Sequence, residues 1–189
     1  MYYKKILAAA LTVSCIGGIV PANSVQAASL KIRYSGKTRY YKGKQLHVSY
    51  ANKNLSSKYV GIQINKVNMI PYYDYLVKQG PKVKRTYSKS SGKLILKNGD
   101  DTLTAYVGKR TYYLNGVKKT FSVAPTKVKY YKTKKTIILI PANAIVKGLG
   151  LNYKYSSSSK RIYITQPVIP SDSTTQVQTQ PSGSVQYTN

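Results

Sequence analysis

The sequence predicts an α+β fold, built as a duplicated β-rich repeat of mainly antiparallel strands with one short helix per repeat. Three observations carry that expectation. In the stretch 137–164, I-I-L-I-P-A-N-A-I-V-K-G-L-G-L-N-Y-K-Y-S-S-S-S-K-R-I-Y-I, an apolar run ends at Pro141. Ala142, Ile145, Val146 and Leu149 then fall on one helical face, Gly150 stops the helix, and alternation of period two resumes through Tyr153 and Tyr155. The same unit occurs at 69–96, where Pro71 matches Pro141, Gly80 matches Gly150, and Tyr72, Tyr75 and Leu76 match Ala142, Ile145 and Val146. Upstream of each helix lies a second match, Y-S-G-K-T-R-Y-Y at 34–41 and Y-V-G-K-R-T-Y-Y at 106–113. Two matches at similar separation indicate an internal repeat, over about 30–98 and 103–165.

Taken in order, the chain opens with Lys4 and Lys5, an apolar run from Ile6 to Val20, and small residues at Val25 and Ala27. This pattern reads as a cleaved signal peptide over 1–27. A membrane anchor is the rival reading, but the run is shorter than about 20 residues and is interrupted by Gly17, Gly18 and Pro21. A lipoprotein site at Cys15 is the other alternative; more apolar sequence follows it, and Thr12-Val13-Ser14 is a poor lead-in. Cleavage after Ala27 removes the only cysteine and leaves no thiol chemistry.

From 28 to 166 the pattern is mostly strand, expected at 30–34, 39–41, 46–50, 59–65, 94–97, 103–107, 111–114, 121–123, 128–131 and 136–140. Gly36-Lys37, Asn98-Gly99 and Asn115-Gly116 supply turns between them. Pro71 and Pro141 suit the first helical position, and Gly80 and Gly150 the left-handed residue that ends a helix. The stretch 167–189, rich in Pro, Ser, Thr and Gln, lacks the apolar residues to order itself and reads as a disordered tail or linker.

Charge is the second strong signal. There are 31 basic and 4 acidic residues, a formal +27, and no glutamate. Losing Lys4 and Lys5 with the leader leaves 29 basic and 4 acidic residues, a formal +25. Such a field attracts polyanions and says more about partners than about fold. For a secreted protein these are anionic cell-wall polymers (teichoic acid or acidic polysaccharide), anionic headgroups and extracellular nucleic acid. Tyrosine is the remaining clue, with 20 residues against one Phe and no Trp. In extended chain, adjacent tyrosines point to opposite faces, so each pair can bury one ring and leave the other wet. Exposed rings beside lysines could stack on sugars or bases while the cations hold phosphates. The candidate binding residues are therefore Tyr40, Tyr41, Lys42, Tyr112, Tyr113, Lys129, Tyr130, Tyr131 and Lys132. The competing reading makes tyrosine a core filler whose hydroxyl reaches water.

Catalytic chemistry finds no footing. The acids left after cleavage are Asp74, Asp100, Asp101 and Asp172, with no carboxylate partner in a comparable place in both repeats. Asp74 suits the first turn of a helix, and Asp100 and Asp101 suit a hairpin turn. His47 is the only histidine, and no G-x-S-x-G elbow is present.

The Pro-to-Gly helix followed by a hairpin resembles the copper amine oxidase N-terminal-like domain, the stalk module of secreted and wall-associated proteins of Gram-positive bacteria. In that family the helix usually begins V-P-x-R and ends A-x-G-A, and the next strand carries Trp-Asp or Trp-Asn. Here Ile70-Pro71 and Ile140-Pro141 keep the proline, Gly80 and Gly150 the glycine, and Tyr87 and Tyr155 an aromatic strand position. The arginine is replaced by Tyr73 and Asn143, tryptophan is absent, and serine and lysine replace the acidic turn residue. The resemblance, over roughly 30–165, implies architecture more than activity. Copper amine oxidases need three histidine ligands and an Asn-Tyr-Asp/Glu tyrosine. One histidine and Asn152-Tyr153-Lys154 meet neither requirement, so no cofactor is expected. The expected function is a secreted, non-catalytic binding or spacer module on the cell envelope. The alternative is an extracellular protein with a specific protein or nucleic-acid partner.

Overall fold

A computed structural model describes residues 29–168, and its architecture is mostly β instead of the expected α+β. Strands take 52% and helical segments 11% of the described residues, too little helix to form a layer of its own. The correction has a local cause. Of two helical segments among the described residues, only α1 (Ala142–Gly148) is an α-helix. Its counterpart, Tyr73–Gln79, winds as a π-helix, closed by the Gly80 N–H donating to the Tyr75 carbonyl five residues back at 3.1 Å. Three tyrosines, 72, 73 and 75, crowd this first turn where α1 has Ala142, Asn143 and Ile145, and the wider winding goes with the bulkier side chains.

The helix ends also differ from expectation. Pro71 and Pro141 are the last residues of strands, and Pro141 has extended ψ (103°), so each proline ends a strand instead of starting a helix. Gly150 is left-handed (φ 68°) as expected. Gly80 is not (φ −81°); it is required because a Cβ there would lie 2.1 Å from the Tyr75 carbonyl oxygen. The inward positions Tyr72, Tyr75, Leu76, Ala142, Ile145 and Val146 are all buried.

The strands in chain order are β1 (Leu30–Tyr34), β2 (Lys37–Tyr41), β3 (His47–Tyr50), β4 (Lys53–Leu55), β5 (Ile62–Ile64), β6 (Val67–Pro71), β7 (Lys84–Tyr87) and β8 (Lys93–Asn98). There follow β9 (Asp101–Tyr106), β10 (Thr111–Leu114), β11 (Val117–Thr120), β12 (Thr126–Tyr130), β13 (Lys135–Pro141), β14 (Asn152–Ser156) and β15 (Arg161–Thr165). No strand forms at 121–123. The neighbouring strand is instead β11, whose V-K-K-T is exposed throughout, while Phe121 turns inward and stacks on Tyr112 at 3.9 Å.

Three sheets result, ordered β2-β1-β12-β13-β6-β5, β11-β10-β9-β8-β7 and β14-β15-β3-β4. In the first, β13 and β6 run antiparallel with Ile140 opposite Ile70, Leu139 opposite Pro71 and Pro141 opposite Met69. Matched positions of the two similar segments thus face one another about the Ile70–Ile140 pair. The hairpin after each helical segment joins a sheet containing strands of the other segment: β8 pairs β9, and β15 pairs β3 in parallel.

The six-stranded sheet curls on itself. Ile32, Ile62, Ile64, Met69, Val128, Tyr130 and Leu139 fill its concave side. The Tyr41 hydroxyl, on β2, accepts from the Gln63 N–H of β5 at 2.8 Å, joining the two edge strands. A larger core, including Ile70, Tyr75, Leu96, Phe121, Ile145, Leu149 and Ile162, lies among the three sheets and both helical segments. It covers the β6–β13 part of the sheet's outer side. The β1–β2–β12 part of that side stays open.

The leader expected at 1–27 lies outside the described residues, as does the tail beyond 168. No helix among the described residues is long and apolar enough to cross a membrane.

Candidate binding surface

Strand alternation decides what the open face carries. Ile32 points inward on β1, so Lys31 and Arg33 point outward; Val128 and Tyr130 point inward on β12, so Lys127 and Lys129 point outward. The β1–β12 register places Arg33 opposite Lys129. On the other flank of β1, Lys31 faces Tyr40 and Arg33 faces Thr38. Four cations and a tyrosine therefore share one patch.

The rings hold the cations. The Lys31 ammonium stands 5.5 Å from the centroid of Tyr40 and 5.1 Å from that of Tyr131, and Lys129 stands 5.4 Å from Tyr131 on its own account. On the other side of the same strands, where Arg39 is opposite Ile32, the Arg39 guanidinium lies 4.5 Å from the Tyr34 centroid and donates to the Tyr34 hydroxyl at 3.2 Å. Each such contact is worth about 0.5–1 kcal/mol at an exposed site. Tyr131 and Thr38 share a hydrogen bond of 2.9 Å between their hydroxyls. That bond, followed by the charges of Lys129, Arg33 and Lys31, holds the Tyr131 hydroxyl below its usual value. The positive field at this face is thus felt by a group sitting in it.

The residues singled out from sequence divide. Tyr40, Lys129 and Tyr131 come together on this face. Tyr130 is buried, its hydroxyl donating to the Val60 carbonyl at 2.6 Å, and burial pushes its ionisation far up. Tyr112 is buried against Phe121, and burial raises its ionisation too. These two are core residues and cannot form a surface site. Tyr41 is half-buried at the sheet seam, where its hydroxyl also donates to the Lys44 carbonyl at 3.0 Å. Tyr113 is exposed, but on β10 of the five-stranded sheet. Lys42 is exposed beyond β2, and Lys132 lines a separate cavity of about 480 Å³ with Lys44, Lys58, Lys160 and His47. Sequence reasoning missed Lys31, Arg33, Thr38 and Lys127. Alternation around Ile32 and Val128 was the signal for three of them.

A wide groove of about 670 Å³ adjoins the patch, between the β1–β2 turn, β12 and the β7–β8 turn. Arg33, Lys89, Lys127 and Lys129 line it, with the serines at 90 and 91. Its tip is ordered internally: the Ser88 hydroxyl accepts from the Ser91 hydroxyl at 2.9 Å. The aspartates are engaged elsewhere. Asp74 accepts from the Ser57 hydroxyl, Asp101 accepts from the Asn115 amide at 2.9 Å, and neither they nor Asp100 lines the groove.

The donor set does not fit copper. No group of three His, Cys, Asp or Glu side chains able to hold a metal is found among the described residues, and His47 is an exposed strand residue beside lysines. No curated protein and no solved structure matches the chain. A family model does, over residues 50–164, more than half of the sequence, and it describes a domain that is non-catalytic in the enzymes that give it its name. With prolines at 71 and 141 ending paired strands, and a helical segment and hairpin after each, the chain belongs to the copper amine oxidase N-terminal domain family.

Proposed function

We propose that the protein is a secreted, non-catalytic binding or spacer module that associates with anionic polymers of the cell envelope through the open face of β2, β1 and β12. The observation behind this reading is the grouping of Lys31, Arg33, Lys127 and Lys129 on one face with no carboxylate among them. Rigid strands fix these charges, and Tyr40 and Tyr131 restrain the side chains of Lys31 and Lys129. The tail would then act as a linker. The test is retention of the full chain, after leader removal, on purified cell walls with and without their anionic polymers, at rising salt. Electrostatic adhesion predicts retention that needs the polymer and is lost as salt goes from about 0.1 M to 1 M, where the screening length falls from about 10 Å to about 3 Å. Salt-insensitive capture by a single protein would overturn the reading and favour a specific protein partner.

A further inference from the structure

We propose that the groove lined by Arg33, Lys89, Lys127 and Lys129 is a subsite for a linear phosphodiester chain that carries neither bases nor a continuous run of sugar rings, a polyol phosphate. The proposal rests on the envelope reading and names the polymer class the open face receives. Two properties of the groove suit phosphate. Its four cations come from three separate segments, β1, the β7–β8 turn and β12, so a chain laid along it meets positive charge on each side. The guanidinium of Arg33 presents the planar fork that matches two phosphate oxygens, and the hydroxyl of Ser90 adds a short polar contact.

A third property argues against a preference for nucleic acid or sugar polymers, whose advantage over a bare phosphate chain comes from stacking on free aromatic faces. At this face the protein's own cations already occupy one side of each ring. Lys31 and Lys129 stand over Tyr131 and Lys31 over Tyr40, while Tyr34, which reaches the groove from the sheet's inner side, lies under Arg39. No tryptophan exists to replace them. An acyclic phosphate chain needs charge and hydroxyl contacts alone, and those are what the groove offers.

The experiment compares three oligomers of equal charge on the full chain at low salt: a glycerol phosphate oligomer, an abasic deoxyribose phosphate oligomer and an oligothymidylate. The first two are expected to bind within about twofold of one another and at least as tightly as the third, whereas stacking on one free ring would favour oligothymidylate about tenfold. The triple variant Arg33→Gln/Lys89→Gln/Lys127→Gln is expected to weaken glycerol phosphate binding about tenfold or more. The charge-matched triple Lys97→Gln/Lys118→Gln/Lys119→Gln, on the five-stranded sheet, is expected to weaken it less than about threefold. Tighter binding of oligothymidylate overturns the base-free assignment. Equal losses in the two triples overturn the groove and leave diffuse adhesion to the envelope standing. Failure to bind any of the three oligomers overturns the envelope reading itself.

Discussion

Gly80 and Gly150 occupy matched places in the sequence yet hold their segments together by different means, and substituting each tells them apart. Gly80 is buried with φ −81°, an ordinary value for any residue, so backbone strain does not demand glycine there. Space does. An added Cβ would stand 2.1 Å from the Tyr75 carbonyl oxygen, against a floor of about 3 Å for such contacts. The carbonyl must retreat by nearly 1 Å, which breaks the 3.1 Å bond from the Gly80 N–H that closes the π-helix. Losing that bond costs about 0.5–1.5 kcal/mol and leaving the carbonyl unpaired about 1–3 kcal/mol more, so Gly80→Ala should destabilise by about 2–4 kcal/mol. At Gly150 the penalty is conformational, about 1–2 kcal/mol for a left-handed alanine. The nearest atom to its Cβ is the mobile end of Asp101, at 2.5 Å. Asparagine separates the two mechanisms because it tolerates the left-handed region: Gly150→Asn should recover most of the loss, while Gly80→Asn should be no better than Gly80→Ala. Urea unfolding of the four variants reads this directly. A Gly80→Ala protein within about 1 kcal/mol of wild type, or a Gly80→Asn protein clearly more stable than Gly80→Ala, would refute the steric account.

Three further outcomes follow from tyrosine chemistry and from turns. Burial, then the nearby Asp74 charge, pushes the Tyr75 hydroxyl up to about 12 from 10.0. A raised value means stability is fully present below pH 10, where the unfolded chain begins to ionise, and is lost as pH climbs towards 12. The Tyr75 share of that loss is about 2–3 kcal/mol. Urea midpoints at pH 9, 10 and 11 should fall steeply for wild type and less for Tyr75→Phe; equal slopes would sink the assignment. Tyr131, lowered by Thr38 and its neighbouring cations, should ionise before the buried rings in an absorbance titration, and Tyr131→Phe should reduce the early rise by one tyrosine. In the two-residue turn between β3 and β4, Ala51 (φ 47°) and Asn52 (φ 64°) are both left-handed, where the β10–β11 turn has Asn115 and Gly116. Ala51→Asn should therefore stabilise by up to about 1 kcal/mol in thermal unfolding, and a lowered midpoint would show that another contact fixes this turn.

What was legible in the sequence was what local periodicity can encode. The apolar stripes at 72, 75 and 76 and at 142, 145 and 146 marked the buried faces of both helical segments. Over barely two turns, however, a stripe at i, i+3 and i+4 fits an α-helix and a π-helix alike, and only the closing hydrogen bond distinguishes them. That ambiguity, together with the weight given to two seven-residue segments among many strands, led to the wrong fold class. At 117–123 the β-rich trio Phe121-Ser122-Val123 outscored Val117-Lys118-Lys119-Thr120, although the latter forms the strand. An exposed edge strand needs no apolar alternation, and edge lysines guard against pairing with other chains. Hairpin partners could be anticipated from their turns. The long-range pairs β1–β12, β13–β6 and β15–β3 could not, because nothing local records which distant strand supplies the other half of a ladder.

The same limit explains the partial view of the binding face. Doubled tyrosines signal one ring in and one ring out, and the structure has Tyr72 buried beside exposed Tyr73, Tyr112 beside Tyr113, and Tyr130 beside the more open Tyr131. What an outward ring does depends on a partner strand. Tyr131 meets Lys31 only because β12 lies against β1, and Tyr73 meets Arg85, at 4.7 Å, only because β7 returns past its helical segment. A chain with so many cations and so few carboxylates cannot restrain its lysines and arginines with ion pairs. Ring faces, neutral but with a negative π-cloud, are the partners that remain, and unlike carboxylates they hold a cation without cancelling its charge. Tyrosine suits this role better than phenylalanine because its hydroxyl can be anchored, as Thr38 anchors Tyr131. The abundance of tyrosine and the excess of lysine are then one design: the rings order the charges, and the charges stay available to a polyanion.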